Sequence, residues 1–125
     1  MTLDPGLSAA VELVVGEHDT ALALGTGEVP VLATPRLIGL CEQATMAALV
    51  GQVAIGSSTV GLSIQFDHLQ PTAGGERVTA EATLERVEGR RLCFTVSARD
   101  DRGLVGAGKV TRVLVDVDRF MDKTL

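Results

Sequence analysis

Apolar residues recur along this chain at two periods. From Thr34 to Gly51, TPRLIGLCEQATMAALVG, the spacing is helical: Leu37, Leu40, Cys41, Ala44, Ala47 and Ala48 share one face, and Ile38, Met46 and Leu49 another. Thr34 is placed to cap the first turn, Pro35 suits it, and Gly51 is a stop. A helix apolar nearly all round is expected to be buried.

The period then changes to two. In Ser58–Leu69 it sets Val60, Leu62, Ile64 and Phe66 on one face and Ser63, Gln65 and Asp67 on the other. Arg77–Val87 repeats the alternation with Val78, Ala80, Ala82 and Leu84 inward, and Arg91–Arg99 with Leu92, Phe94, Val96 and Ala98. Turns are expected at Pro71–Gly75, Glu88–Arg90 and Asp100–Gly103, with a last strand from Leu104 to about Val117 and a short tail, DRFMDKTL. Ahead of the helix, Ala10–Leu24 is strand-like but broken by the polar run Gly16–Thr20; Gly25–Pro30 is a loop by composition.

One buried helix among strands needs apolar surroundings, which a strongly curved antiparallel sheet provides. The short connections after Ser58 predict a meander, since parallel crossovers need more chain. The expected class is α+β, one domain over residues 1–125. The layout resembles the hotdog fold, about five strands wrapped around one central helix. That resemblance implies a homodimer built by extending the sheet across subunits.

Composition narrows the functions. Three Phe and no Trp or Tyr leave almost no stacking platform for single-stranded nucleic acid, and a net charge of −5 argues against any nucleic-acid partner. No apolar run approaches the ~20 residues of a membrane span, and the N-terminus lacks the basic stretch of a signal peptide. A soluble cytoplasmic protein is expected. Cys41 and Cys93 show no metal-ligand spacing and are expected to be small buried residues in a reducing compartment.

A few polar residues break the apolar pattern. Glu42 has Ile38, Met46 and Leu49 as helical neighbours; it is either on an exposed sliver beside Gln43 or held in an apolar stripe by a partner. His68 continues the apolar face of its strand beyond Phe66, as a rim histidine or a functional one. Thr34 is a helix cap or a site residue. If the helix is straight, Glu42 lies ~12 Å along its axis from Thr34, out of hydrogen-bond reach. Gly61 interrupts a strand, which marks a bulge or a close approach. Arg112 is a cation on the Gly106, Gly108, Val110, Leu114 face. His18, in a polar run, is expected to be solvated. Gly106–Gly108 is no phosphate loop, since no helix follows. Arg90 and Arg91 sit at a hairpin, solvated or facing phosphates.

LATPRLIGLCEQA, GLSIQFDH and VEGRRLCFTVSARD together resemble the fluoroacetyl-CoA thioesterase-like family of hotdog proteins over about Pro30–Phe120. Thr34, Glu42 and His68 match that family's Thr/Glu/His triad in type and spacing. Gly61 and Arg112 fall where the family has a Gly and an Arg near the bound acyl group. The resemblance implies an acyl-CoA thioesterase acting on a short-chain acyl thioester, with no cofactor beyond the coenzyme A of the substrate and no metal. Glu42 would act as nucleophile or base, His68 would orient Glu42 and shuttle a proton, and Thr34 would hold Glu42 or donate to the carbonyl oxygen. Fluoroacetyl-selective members carry Phe residues before the Thr; here GTGEVPVLA has none, so a general short-chain enzyme is expected. A non-catalytic acyl-CoA-binding module is the alternative, and an acyl-carrier-protein thioester is a possible substrate.

Overall fold

In the computed structural model, which describes residues 3–125, one antiparallel sheet of five strands curves around a central helix. The strands are β1 (Ser8–Val14), β2 (Ser57–His68), β3 (Arg77–Glu88), β4 (Arg91–Asp100) and β5 (Gly103–Asp116), in the order β1-β3-β4-β5-β2. The helices are α1 (Ala21–Leu24), the central α2 (Thr34–Ala48) and α3 (Val117–Asp122). This is the hotdog arrangement expected from the pattern.

The core forms where the two periods meet. Leu37, Leu40, Cys41 and Ala44 of α2 pack against Val78, Ala80, Ala82 and Leu84 of β3 and Leu92, Phe94, Val96 and Ala98 of β4, all buried. Alanines line the sheet beneath the helix, so the backbones approach closely. Phe94 is the only aromatic among the largest fully buried side chains. Burial holds the Cys41 thiol neutral, its pKa pushed up to about 11; Cys93 is only half-buried, contrary to expectation.

Several expectations need correction. Ala21–Leu24 is a helical turn, not strand: the Thr20 hydroxyl accepts the Ala23 N–H, and Gly25, at φ 72°, closes the turn in a left-handed conformation. Thr34 does not cap α2. Ala33 holds the cap position without a side-chain hydrogen bond. The helix ends at Ala48, before Gly51. Only β3, β4 and β5 form a meander; β2 pairs with β5 and β1 with β3. The Leu69–Glu76 link is too long for a hairpin and is pinned elsewhere, with the Leu32 N–H donating to the Thr72 carbonyl at 2.8 Å. The tail is partly helical, because Asp116 caps α3 through the Arg119 N–H.

The most consequential difference lies within β2. Gly61 pairs with Arg112, but the next pairing is Ser63 with Thr111, a bulge that changes which residues face inward. Cross-strand partners share a face. Thr59 and Gly61 therefore face the helix beside Arg112 and Leu114, while Ile64, Phe66 and His68 do so beyond the bulge. Val60 and Leu62, expected inward, do not; Leu62 is 51% exposed. β5 accommodates β2 at two glycines. A Cβ at Gly108 would lie 2.0 Å from the Gln65 carbonyl oxygen, and one at Gly106 2.5 Å from the Phe66 ring.

Candidate active site

Helix α2 runs alongside β2 in the opposite direction, and three contacts mark its course. The Thr34 hydroxyl lies 2.8 Å from His68 Nδ1. The Glu42 carboxylate lies against Gly61, where an added Cβ would come within 2.9 Å of Oε2. Thr59 donates to the Met46 sulfur at 3.4 Å. The singled-out residues thus fall into two groups, ~12 Å apart along the unbroken helix. In one chain, Thr34 and Glu42 do not touch.

Glu42 is neither buried nor free. Its side chain is 34% exposed, and Arg112 Nη1 sits 3.3 Å from Oε2. Arg112 is buried. Its Nε donates to the Thr59 hydroxyl and its Nη2 to the Thr59 carbonyl, both at 2.9 Å. Burial pulls the Arg112 pKa down, opposed by the nearby Glu42 charge. Guanidinium remains charged in proteins, so Arg112 is a fixed cation aimed at one carboxylate oxygen. The Thr45 hydroxyl donates to the Glu42 carbonyl at 2.6 Å and fixes the local backbone. A shallow cleft of about 290 Å³ opens here, lined by Glu42, Gly61, Leu62, Ser63 and Ile64.

The second group sits at the other end of β2. Thr34 is exposed and His68 half-buried. His68 Nε2 is buried and has no hydrogen-bond partner among the described residues. Burial lowers the His68 pKa from its ordinary value, while the Gln70 backbone opposes the shift without making a well-formed hydrogen bond to Nε2. The imidazole is therefore neutral near pH 7. In one tautomer Nδ1 accepts the Thr34 proton; in the other it donates to the Thr34 oxygen and frees the hydroxyl proton. An apolar cleft of about 350 Å³ adjoins the pair, lined in part by Val29, Val31, Pro35, Leu69 and Pro71.

Within the protomer, then, His68 orients Thr34 rather than Glu42. Gly61 and Arg112 join Glu42. Thr59, which positions Arg112, escaped the sequence reading because strict alternation put it on the wrong face; Gly61 was the available sign of the bulge that reverses this. His18 is exposed, as expected.

Comparison with known proteins agrees with this fold. A family model, fluoroacetyl-CoA-specific thioesterase, matches residues 15–118. The fluoroacetyl-CoA thioesterase of Streptantibioticus cattleyicolor is 36% identical over 93 residues, covering 74% of this chain and 67% of that protein. A solved structure of the fluoroacetyl-CoA thioesterase FlK superposes with a TM-score of 0.92 at 32% identity, covering 99% of this chain and 96% of that one. A thioesterase superfamily member from Thermus thermophilus superposes with a TM-score of 0.88 at 26% identity, covering 98% and 93%. With most of its length matched in sequence and nearly all of it in fold, the chain belongs to the fluoroacetyl-CoA-specific thioesterase family.

Proposed function

We propose that this chain is a homodimeric hydrolase of short-chain acyl thioesters, acyl-CoA first among them, with Thr34, Glu42 and His68 as catalytic groups and Gly61 and Arg112 at the substrate. The observation that carries the reading is the placement of Glu42. Its half-exposed carboxylate is steadied by a buried guanidinium and faces a glycine that leaves the approach open. Glu42 adds to the thioester carbonyl and expels the thiolate, leaving an anhydride that water then cleaves to the free acid and the Glu42 carboxylate; or it deprotonates a water that adds directly, and that proton passes to the departing thiolate. The Thr34 hydroxyl, with its proton freed by His68, suits the developing oxyanion.

Dimerisation is supported by β2 and the helix above it. β2 is an unpaired edge with exposed Leu62 and Ile64, and Met46 of α2 lies open beside it. Such an edge invites a second strand. A twofold axis near Ile64–Gln65 would set Gly61 opposite the partner's His68. It would bring Glu42 of one protomer toward the Thr34–His68 pair of its partner, uniting groups that one chain holds apart.

The lid segment Gly25–Ala33 has no aromatic residue, and the cleft beside Thr34 is lined by aliphatic side chains and prolines. This favours a small aliphatic acyl group over selective recognition of fluoroacetyl. The two cysteines are unpaired, which suits the reducing cytoplasm. No helix among the described residues is long and apolar enough to cross a membrane.

The test is thiol release across a panel of acyl-CoAs, repeated with Glu42→Ala and His68→Ala. Turnover by the wild type and its loss in both variants is the expected result. Binding without thiol release would leave a non-catalytic acyl-CoA-binding module. Retention of activity within a few-fold in Glu42→Ala would refute the site.

A further inference from the structure

One buried acid lies outside the chemistry proposed above. Asp100, the last residue of β4, has a side chain only 2% exposed. Both of its oxygens are engaged. Oδ1 accepts the Arg102 N–H at 2.8 Å within the β4–β5 turn, and Oδ2 accepts the Thr72 hydroxyl at 3.0 Å. Thr72, in the link between β2 and β3, is itself buried. Burial alone would push the Asp100 pKa up, but the Arg102 N–H, the Thr72 hydroxyl and the Arg102 guanidinium outweigh it, and the carboxyl lies below its ordinary value. Asp100 is therefore an anion near pH 7 and can only accept. Arg102 adds a second strap to the same link, donating from Nη2 to the Pro71 carbonyl at 2.6 Å.

A carboxylate is costly to bury, so what it holds is informative. Its hydrogen bond fixes Thr72, whose carbonyl accepts the Leu32 N–H at 2.8 Å. Val31 and Ala73 form an antiparallel bridge beside that bond. Leu32 stands two residues before Thr34, and Thr72 four after His68. One short link thus ties the strand that ends in His68 to the segment that opens α2 at Thr34. Between these points Leu69, Gln70 and Pro71 wall the cleft beside the pair. The helix entry depends on such outside support, because Ala33 caps α2 without a side-chain hydrogen bond. The Thr34–His68 bond, at 2.8 Å, would be lost within about 1 Å of drift.

We propose that Asp100 and Thr72 are positioning residues: through the β2–β3 link they hold Thr34 and His68 at hydrogen-bond distance and keep the imidazole covered. The proposal rests on the reading of Thr34 and His68 as catalytic groups, and adds two residues that act only through them.

The test pairs kinetics with NMR of the imidazole, on the full chain. Thr72→Val removes the hydroxyl and keeps the volume, Thr72→Ser keeps the hydroxyl, and Asp100→Asn exchanges one acceptor oxygen for a donor. Thr72→Val and Asp100→Asn are expected to lower kcat by about ten- to a hundredfold with little change in KM, while Thr72→Ser stays close to wild type. In a Thr34→Val background, Thr72→Val should lower kcat by less than about threefold more, because the bond it protects is already gone. The chain has two histidines, so the His68 ring signals are assigned by their loss in His68→Gln. Their titration midpoint should move up toward the ordinary value of 6.5 in Thr72→Val and Asp100→Asn, as the ring is uncovered. An unmoved midpoint in folded Thr72→Val would overturn the proposal, and so would a kcat loss just as large in the Thr34→Val background. Should Asp100→Asn fail to fold, Thr72→Val carries the test, and Arg102→Ala, at an exposed residue, should move the midpoint in the same direction but less. No turnover by the wild type, or full activity in Thr34→Val, would remove the catalytic reading of Thr34, and the titration would then decide the positioning role alone.

Discussion

The Thr34 hydroxyl and His68 Nδ1 are 2.8 Å apart, joining the first turn of the central helix to the last residue of β2. The hydrogen bond explains why Thr34 does not cap its own helix: its oxygen is turned to the imidazole. Thr34→Val removes the bond and keeps the shape. We expect kcat to fall by roughly 10²–10³, as when one oxyanion donor is lost, with stability reduced by about 1 kcal/mol. Steady-state kinetics and thermal unfolding of the same preparation check both.

The lowered His68 pKa has a definite sign in stability. Above pH 6.5, its ordinary value, the ring is neutral in folded and unfolded chains and contributes nothing. As pH falls through 6.5 the unfolded chain takes up the proton first, so stability drops, and the loss is complete below the folded pKa. His68→Gln should flatten this part of the profile of unfolding free energy against pH. The same shift places the acid limb of kcat/KM that His68 controls below pH 6.5.

Thr59 serves Glu42 through Arg112, which it holds at two atoms. Arg112→Lys keeps a charge but cannot span both Thr59 atoms and the carboxylate. The expected outcome is a fall in kcat/KM of about a hundredfold, and a cost of about 1–3 kcal/mol from the buried Thr59 oxygens left without donors. Thr59→Val should lower activity in the same direction but less, since the Thr59 carbonyl still holds Nη2. Chemical denaturation and kinetics of the two variants would expose any other ordering.

Gly61→Ala separates chemistry from folding. Its φ requires no glycine, and the atom an added methyl would meet is the tip of a flexible side chain, Glu42 Oε2 at 2.9 Å. The carboxylate must move and the fold need not. Activity should fall at least tenfold with a change in Tm of no more than a few degrees. Gly108→Ala is its opposite: the methyl would meet β2 backbone, so stability should drop by about 2 kcal/mol or more.

If each site draws on two protomers, inactive variants should complement one another. Glu42→Ala and His68→Ala dimers, unfolded together and refolded as a mixture, should recover a fraction of wild-type activity, because the mixed dimer holds one intact set of groups. No recovery, with exchange of subunits verified by mass, would place the whole site in one chain.

Most of the fold was legible because two periods alternate cleanly: Val78 to Leu84 and Leu92 to Ala98 are buried in the positions that alternation gives them. Thr34, Glu42 and His68 stood out as polar groups in apolar settings, and the family resemblance joined them. What alternation could not deliver was their arrangement. A single bulge after Gly61 reverses the inward face of β2, exchanging Val60 and Leu62 for Thr59 and Gly61. Helix and strand lengths then keep Thr34 and Glu42 two turns apart, a fact of geometry that residue types do not carry. The order of strands was missed for a similar reason, since the Leu69–Glu76 link is held by distant backbone hydrogen bonds rather than by turn chemistry.

The exposed Leu62 on the open edge of β2 has a practical consequence. The chain contains no Trp and no Tyr, so it is nearly dark in the near ultraviolet. Leu62→Trp would install a single fluorophore on the very strand where two copies are proposed to meet. Its emission would be red-shifted in a solvated edge and blue-shifted in a dry one. Dilution would then be visible as a colour change, and the balance between separate and joined chains could be read by light without any label.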